Sequence, residues 1–297
     1  MVDPLAEALA DPTLSDEARQ KLRNVQGVLR ADPQARLLSL FFEGEEPRAS
    51  VAFGDFDAAD VIAVVLHGID TDLDDFPSWA AVARRLCADT IRAAALHGGS
   101  PRIATVAWFG YDSGTHLSAL ATKHATVGAA RLAGDLVRMR HRHPRARIAL
   151  LAYSYSSTLF GELVLMEGAG PVSVAFSIAS AGMTHMAADA VAEGIADGSF
   201  AFYVTESSTD TTAPLGRLGP HPVDPRDIAG AILYGSDGGP VPGLDSPGKA
   251  TEGHASRSGV DEHGVLHRGY FDPQAQAYLF AVEHLAGLAV QPAPHGR

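Results

Sequence analysis

Apolar residues in this chain form short continuous runs that alternate with longer stretches of helical periodicity. The run Val61-Ile-Ala-Val-Val-Leu66 is rich in β-branched residues, which is typical of a strand buried on both faces. Comparable runs follow at residues 103–108, 148–153, 172–179 and 201–205. Helical stretches lie between them, near residues 77–90 and 122–142. This alternation predicts an α/β fold in which helices flank a mostly parallel central sheet.

The segments on either side of this alternation complete a single predicted domain. Residues 1–35 are polar and helical in pattern, with a helix start at Ser15 and an end at Asp32-Pro33. Short strands are expected at 37–42 and 49–53, joined by a turn. We therefore predict an N-terminal helical segment over 1–35, one α/β domain over 36–290 and a tail over 291–297.

The chain changes character after residue 210. Seventeen of the fifty residues from 211 to 260 are Gly or Pro, well above average usage. A short strand is expected near 229–234, and an Ala- and Leu-rich helix over 273–290 ends the domain. Long loops in compact domains are functional or disordered. Residues 211–266 are therefore interpreted as a loop or a cap insertion, and both alternatives stay open.

Charge and cysteine content exclude several classes of function. The chain has 23 basic and 35 acidic residues, a net charge of −12, which disfavours nucleic-acid binding and polyanionic substrates. Cys87 is the only cysteine, so no intrachain disulfide forms. No signal peptide or membrane-spanning run is recognised, and a cytoplasmic location is expected. A homo-oligomer is compatible with the sequence.

A serine follows one of the predicted buried strands directly. The strand at 148–153 leads into Ser154, and a helical pattern with Leu159, Leu163 and Met166 comes after it. An α/β-hydrolase presents its nucleophile on such a strand-to-helix turn, usually as Gly-x-Ser-x-Gly. Here the flanking glycines are replaced by the next smallest residues, in Ala152-Tyr-Ser-Tyr-Ser156. We predict an α/β-hydrolase fold with Ser154 as nucleophile.

The acid and the base of a catalytic triad should follow Ser154 in that order. Asp210 lies in the exit of the strand at 201–205 and is the predicted acid, with Glu206 as its competitor. Asp224 and Asp227 lie further on, where a capping role is favoured. Among the histidines that follow Asp210, four are candidates for the base: His221, His254, His263 and His267. We favour His267, with His263 next, because His267 comes last of these four and precedes the terminal helix.

An oxyanion hole needs two backbone N–H groups directed at the developing charge. The residue after the nucleophile, Tyr155, supplies one. Leu66-His67-Gly68-Ile69 directly follows the strand at 61–66, and the N–H of Ile69 is the predicted second donor. His67 in this position is interpreted as structural. Gly68, Tyr153 and Tyr111 are predicted to contact substrate, together with Trp108 and Phe109, although Trp108 fits core packing equally well.

The acidic stretch Asp70-Thr-Asp-Leu-Asp-Asp75 fails as a calcium loop, because Asp75 and Ala81 stand where an EF-hand has Gly and Glu. Asp74, Asp75 and Ser78 are instead expected to cap the following helix. Histidine pairs with metal-ligand spacing on one helical face are not found, nor is a Gly-x-Gly-x-x-Gly after a strand. We expect neither metal nor cofactor.

Four stretches together resemble a known family. They are residues 49–68, Ala152-Tyr-Ser-Tyr-Ser-Ser157, Ser180-Ala-Gly182 and His267-Arg-Gly-Tyr270. The set is similar to an α/β-hydrolase family of otherwise unknown function, common in high-GC bacteria, whose nucleophile motif reads Gly-His-Ser-Tyr-Gly-Ser. The likeness covers roughly residues 35–290 and implies the triad Ser154, Asp210 and His267. This chain departs from that motif at Ala152, Tyr153 and Ser156.

These observations predict a serine hydrolase that cleaves an ester of a neutral, partly apolar small molecule through an acyl-enzyme. The same triad serves amidases and thioesterases, so the bond remains open. A catalytically silent hydrolase fold used for binding is the alternative from another class. In such a protein Ser154 and the base would lie beyond hydrogen-bond reach.

Overall fold

The apolar runs form the strands of one sheet. A computed structural model describes residues 3–115 and 122–290, and eight strands of this part of the chain make up the sheet. The strands are β1 (Arg36–Glu43), β2 (Glu46–Gly54), β3 (Val61–Leu66), β4 (Ile103–Phe109), β5 (Arg147–Tyr153), β6 (Val172–Ile178), β7 (Ala201–Thr205) and β8 (Ile232–Leu233).

The order of the strands is β1-β2-β4-β3-β5-β6-β7-β8. Strands β3 to β8 all run parallel to one another, and β2, next to the edge strand β1, is antiparallel to both of its neighbours, β1 and β4. Because β3 to β7 are parallel, their carboxyl ends meet at the same edge of the sheet. The predicted mostly parallel sheet in a single domain is confirmed.

Helices cover both faces of the sheet. They are α1 (Pro4–Ala10), α2 (Asp16–Ala31), α3 (Phe76–Leu96), α4 (Lys123–Arg142), α5 (Ser156–Glu167), α6 (His185–Ala196), α7 (Ala213–Gly216) and α8 (Gln276–Val290). One apolar cluster joins α2, α3 and α8 to the sheet, and a second joins α4, α5 and α6 to the other face. Every residue of β3 and β4 is buried between them, which explains their unbroken apolar runs.

The N-terminal helices have the ends that their sequence indicates. The side chain of Ser15 accepts a hydrogen bond from the N–H of Ala18, so it caps α2 as predicted. Helix α2 ends at Ala31, with Asp32 as its C-cap. The buried ammonium of Lys21 pairs with Glu46 at 2.8 Å and with Asp72 at 3.0 Å. This helix is therefore attached to the sheet and to the loop that follows β3.

Residues 211–266 form a series of very short elements. After α7 come β8 and two small hairpins, built from β9 (Asp237–Gly239) with β10 (Gly248–Ala250) and from β11 (Gly259–Val260) with β12 (Leu266–His267). The strand expected near 229–234 shortens to β8, since Gly230 takes a φ of +83°. The predicted tail at 291–297 lies outside the described residues.

Candidate active site

Ser154 occupies a sharp turn between β5 and α5. Its φ is +56°, in the left-handed region that costs a residue with a side chain about 1–3 kcal/mol. Its N–H donates to the carbonyl of Ile178 at 2.8 Å, and its own carbonyl accepts from the N–H of Ser157 at 3.0 Å. This strained backbone turns the side chain of Ser154 out of the sheet at the carboxyl ends of the strands.

The two residues that replace the usual glycines fit this turn. Ala152 is buried in β5, and the fully buried hydroxyl of Ser156 lies 2.8 Å from the carbonyl oxygen of Tyr153 and 3.2 Å from that of Leu66. The Ser156 hydroxyl thus joins the ends of β5 and β3. The side chain of Ser156 therefore fits within the turn, and its hydroxyl has hydrogen-bond acceptors there.

A histidine and an aspartate extend from Ser154 in one chain of hydrogen bonds. The hydroxyl Oγ of Ser154 lies 2.8 Å from Nε2 of His254, and Nδ1 of His254 lies 2.8 Å from Oδ2 of Asp210. The other carboxylate oxygen of Asp210 accepts from the N–H groups of Thr212 and Ala213 at 3.0 Å each. The structure therefore brings Ser154 and Asp210 together through His254.

The carboxylate of Asp210 is held in its charged form. Burial alone raises the pKa of a carboxyl group, but the hydrogen bond with His254 and its electrostatic interaction with that ring act in the opposite direction. The N–H of Ala213 and the hydroxyl of Tyr270, 3.0 Å from Oδ2, also favour the carboxylate. The pKa of Asp210 falls below its ordinary value as a result.

The prediction of His267 as the base is wrong in this geometry. His267 lies on β12 with its side chain 48% exposed, and its Nδ1 and Nε2 lie 2.9 Å from Glu252 and 3.0 Å from Asp261. It belongs to a surface hairpin and makes no contact with Ser154. The competing His263 is more exposed still, beside Glu262.

The stretch His267-Arg-Gly-Tyr270 nevertheless belongs to the site through its other residues. The carbonyl of Arg268 accepts from the N–H of Glu252, and the N–H of Tyr270 donates to the carbonyl of Ala255, so this stretch pairs with the backbone around His254. A Cβ at Gly269 would lie 2.4 Å from the backbone N of Arg257, which only glycine avoids. This stretch positions the histidine loop.

Glu206, the competing acid, has other partners. Its carboxylate receives both bonds of Arg217 at 2.8 Å and a further one from Arg226 at 2.9 Å. Asp224 caps the short turn Pro225–Asp227, as expected. Neither carboxylate is bonded to His254.

Two of the predicted substrate-contacting tyrosines are packed in the interior. The hydroxyl of Tyr111 donates to the carbonyl of His67 at 3.1 Å, and its ring stacks between His67 and Trp108. Tyr153 is buried and donates its hydroxyl to the carbonyl of His254. Their aromatic character suggested a pocket, whereas both rings serve packing. Tyr153 also ties the nucleophile strand to the histidine loop.

Gly68 lies directly behind Ser154, and His67 precedes it in the chain. A Cβ at Gly68 would be 3.1 Å from the ring of Tyr153 and 3.2 Å from Cβ of Ser154, so the absence of a side chain permits this close approach. His67 is fully buried, with Nδ1 2.9 Å from the carbonyl of Gly68. Burial lowers the pKa of His67 to about 4, so its ring is neutral, in keeping with a structural role.

A cavity of about 250 Å³ opens beside Ser154. Ile69 and Tyr155, the predicted oxyanion donors, line it together with His254, Ala181, Ala213 and Leu215. Among the described residues, no Asp, Glu, Lys or Arg side chain lines this cavity. A larger groove of about 740 Å³ is lined by Arg147 and Ala201, which begin β5 and β7, and so lies at the opposite end of the sheet.

The acidic loop after β3 has protein partners. Asp72 pairs with Lys21, and Asp74 accepts from the side-chain amide of Asn24 at 3.3 Å. Asp75 occupies the N-cap position of α3 without a capping bond from its side chain, while Ser78 donates to its carbonyl. Within residues 3–115 and 122–290, no group of three or more His, Cys, Asp and Glu is arranged to hold a metal ion. No helix of the described part is long and apolar enough to cross a bilayer.

Solved structures with a similar fold are distant in sequence. The poly(3-hydroxybutyrate) depolymerase LpqC of Bordetella parapertussis is 14% identical, with a TM-score of 0.42 over 68% of this chain and 83% of that one. A predicted CIB-like hydrolase of Thermoplasma acidophilum is 10% identical, with a TM-score of 0.43 over 85% and 99% of the two chains. No curated protein sequence matches the chain.

A family model described as alpha/beta hydrolase matches residues 44–220. This range contains β2 to β7, the turn at Ser154 and Asp210, and it covers more than half of the chain. His254 lies beyond it, in the segment of short elements. The chain belongs to the α/β-hydrolase family.

Proposed function

We propose that this protein is a serine hydrolase that cleaves a carboxylic ester of a neutral, partly apolar small molecule. The observation that carries the proposal is the continuous hydrogen-bonded series from Ser154 through His254 to Asp210, with Ser154 held at a positive φ. Ser154 contacts His254, and His254 contacts Asp210, which is the order that a nucleophile, a base and an orienting acid require.

In the first half of the reaction His254 removes the proton of Ser154 as its hydroxyl attacks the substrate carbonyl. Asp210 holds the imidazole through Nδ1–H and stabilises the positive charge that develops on it. The backbone N–H groups of Ile69 and Tyr155 stabilise the oxyanion. His254 then donates its proton to the departing alcohol, which leaves the acyl group on Ser154.

In the second half a water molecule attacks the acyl-enzyme. His254 now takes a proton from this water, and the same N–H groups stabilise the second oxyanion. Collapse of the intermediate returns the proton to Ser154 and releases the carboxylic acid. The absence of charged side chains among the described cavity residues supports a neutral substrate.

Labelling with a fluorophosphonate probe tests whether Ser154 is activated. Wild type should be labelled, while Ser154→Ala abolishes labelling and His254→Ala slows it by about 10³-fold or more, because the base is lost. His267→Ala is the matched control, since this histidine lies outside the hydrogen-bonded series. It should label like wild type.

Three outcomes would contradict the proposal. Loss of labelling in His267→Ala but not in His254→Ala would reinstate His267 as the base. A folded wild-type protein that neither reacts with the probe nor hydrolyses short-chain esters would support the silent, binding fold. If Ser154→Ala were labelled as strongly as wild type, the residue that reacts with the probe would not be Ser154.

A further inference from the structure

The cavity beside Ser154 has an open side and an enclosed side. His254 and Leu215 lie at the open side, with 20% of the His254 side chain exposed and Leu215 61% exposed. Tyr155, Ala213 and His221 are buried and form the enclosed side. A leaving alcohol must lie at His254 to receive its proton. The alcohol part therefore faces solvent, and the enclosed side is left for the acyl chain.

On one wall of the cavity two alanines, Ala181 and Ala213, lie on tightly packed backbone. A Cβ at Gly216 would lie 2.8 Å from both Cβ and the carbonyl oxygen of Ala181, so α7 rests directly on that residue. A Cβ at Gly182 would lie 2.0 Å from the carbonyl oxygen of His221. Because of these contacts the backbone of this wall cannot move away from the cavity. The depth of the cavity at this wall is thus set by the side chains at 181 and 213.

The wall is also tied to the triad. Asp210 accepts the N–H of Ala213 at 3.0 Å through the oxygen that does not contact His254. The side chain of Ala213 therefore keeps a fixed distance from the reacting centre. A longer side chain at 213 has to extend into the cavity, because α7 cannot move away.

The volume of the cavity limits the length of the chain. A water-sized group takes about 30 Å³, so about 250 Å³ accommodates about eight groups of methylene size. A hexanoyl ester has six acyl carbons and two ester oxygens. On the basis of the function proposed above, we propose that this site accepts linear, uncharged acyl chains of up to about six carbons and that Ala181 and Ala213 set this limit.

The test compares hydrolysis of p-nitrophenyl esters from acetate to decanoate. For wild type, kcat/KM should rise by about fourfold per methylene up to hexanoate and fall beyond it. Ala213→Leu adds three carbons to the wall and should lower the hexanoate-to-acetate ratio of kcat/KM at least tenfold. Ala88→Leu, on the exposed face of α3, should leave the ratio unchanged.

The outcomes separate this inference from the proposed function. If wild type hydrolyses no ester, the hydrolase proposal fails. If acetate is hydrolysed but the chain-length profile is the same in wild type and Ala213→Leu, the acyl-pocket inference alone is overturned. Acetate esters of different alcohols provide a further test. If Ala213→Leu changes kcat/KM among these acetates but not among the p-nitrophenyl esters, the enclosed side holds the alcohol and the inference is overturned. If Ala213→Leu does not fold, Ala181→Val should show the same fall in the hexanoate-to-acetate ratio, and an unchanged ratio in that variant overturns the inference.

Discussion

At the scale of single residues, Ser154 and Ser156 have different roles in one turn. Ser154 takes the strained backbone conformation, whereas the hydroxyl of Ser156 binds carbonyl oxygens at the ends of β5 and β3. The common motif has glycine at this second position. A hydroxyl whose single proton lies within reach of two buried carbonyl oxygens explains how serine is accommodated there.

Substitution of Ser156 by Gly should therefore reduce stability more than activity. The lost hydrogen bond and the added backbone freedom should lower the free energy of unfolding by about 1–2 kcal/mol. The rate of fluorophosphonate labelling should stay within about threefold of wild type, since Ser154 and His254 keep their contact. Denaturant unfolding and labelling kinetics measure the two effects.

Ser157→Gly is the matched control, because Ser157 also lies in the first turn of α5 and its hydroxyl donates to the carbonyl of Ala152 in β5 at 3.1 Å. A fall in labelling of more than 100-fold in Ser156→Gly alone would contradict the structural role and place the Ser156 hydroxyl in the chemistry.

At the scale of elements, the sequence predicts the central strands and the nucleophile turn because each leaves a long local pattern. Strands β3 to β7 have five to seven residues and are mostly buried, so their apolar runs are visible. Ser154 follows such a strand directly, and Asp210 follows β7 after residues 206–209. Their positions could be inferred from chain order and strand ends.

The position of His254 leaves no comparable pattern. Strands β9 to β12 have two or three residues each and are largely exposed, so they show no periodicity. His254 is placed by backbone pairing with residues 268–270 and by the hydroxyl of Tyr153. The contact with Tyr153 spans about a hundred residues of sequence. Four histidines in one segment could not be separated without them.

The β11–β12 hairpin supplies a prediction about pH. The hydrogen bond from His267 to Asp261, and then the one to Glu252, raise the pKa of His267 above its ordinary value. The folded chain then holds this proton more tightly than the unfolded chain. The stabilisation is complete below the unfolded pKa of about 6.5 and is lost as the pH rises through the higher folded pKa.

His267→Gln should accordingly unfold at lower denaturant concentration than wild type near pH 5.5, and the difference should shrink by pH 8.5. His263→Gln, in the same hairpin, should show a smaller difference at pH 5.5. Denaturant unfolding at the two pH values measures this. A difference for His267→Gln that grows with pH would reverse the sign and contradict the role given to the two carboxylates.

At the scale of the whole molecule, the net charge of −12 acts on any charged substrate that approaches. An ester that carries a free carboxylate should have a lower kcat/KM than a neutral ester of the same length. The p-nitrophenyl esters of succinic acid and of its monomethyl ester form such a pair. The neutral one should be hydrolysed at least tenfold more efficiently at low salt.

The dependence on salt distinguishes the effect of the protein's net charge from the effect of the cavity lining on the preference for the neutral ester. Added salt screens the field, so part of the difference between the two esters should disappear at about 0.5 M salt. A preference for the anionic ester would contradict the neutral-substrate proposal and would point to a cationic group above the site. The neutral ester provides the control for general salt effects.

The hydroxyl of Tyr153 that binds the carbonyl of His254 also has a consequence for biosynthesis. During translation the nucleophile turn leaves the ribosome about a hundred residues before the base. Until residues 254–270 have emerged and paired, Ser154 has no group to take its proton, and the growing chain carries an inert alcohol. On the function proposed above, reactivity toward esters is therefore acquired only after every strand of the sheet, β8 included, has been synthesised and residues 254–270 dock beside Ser154.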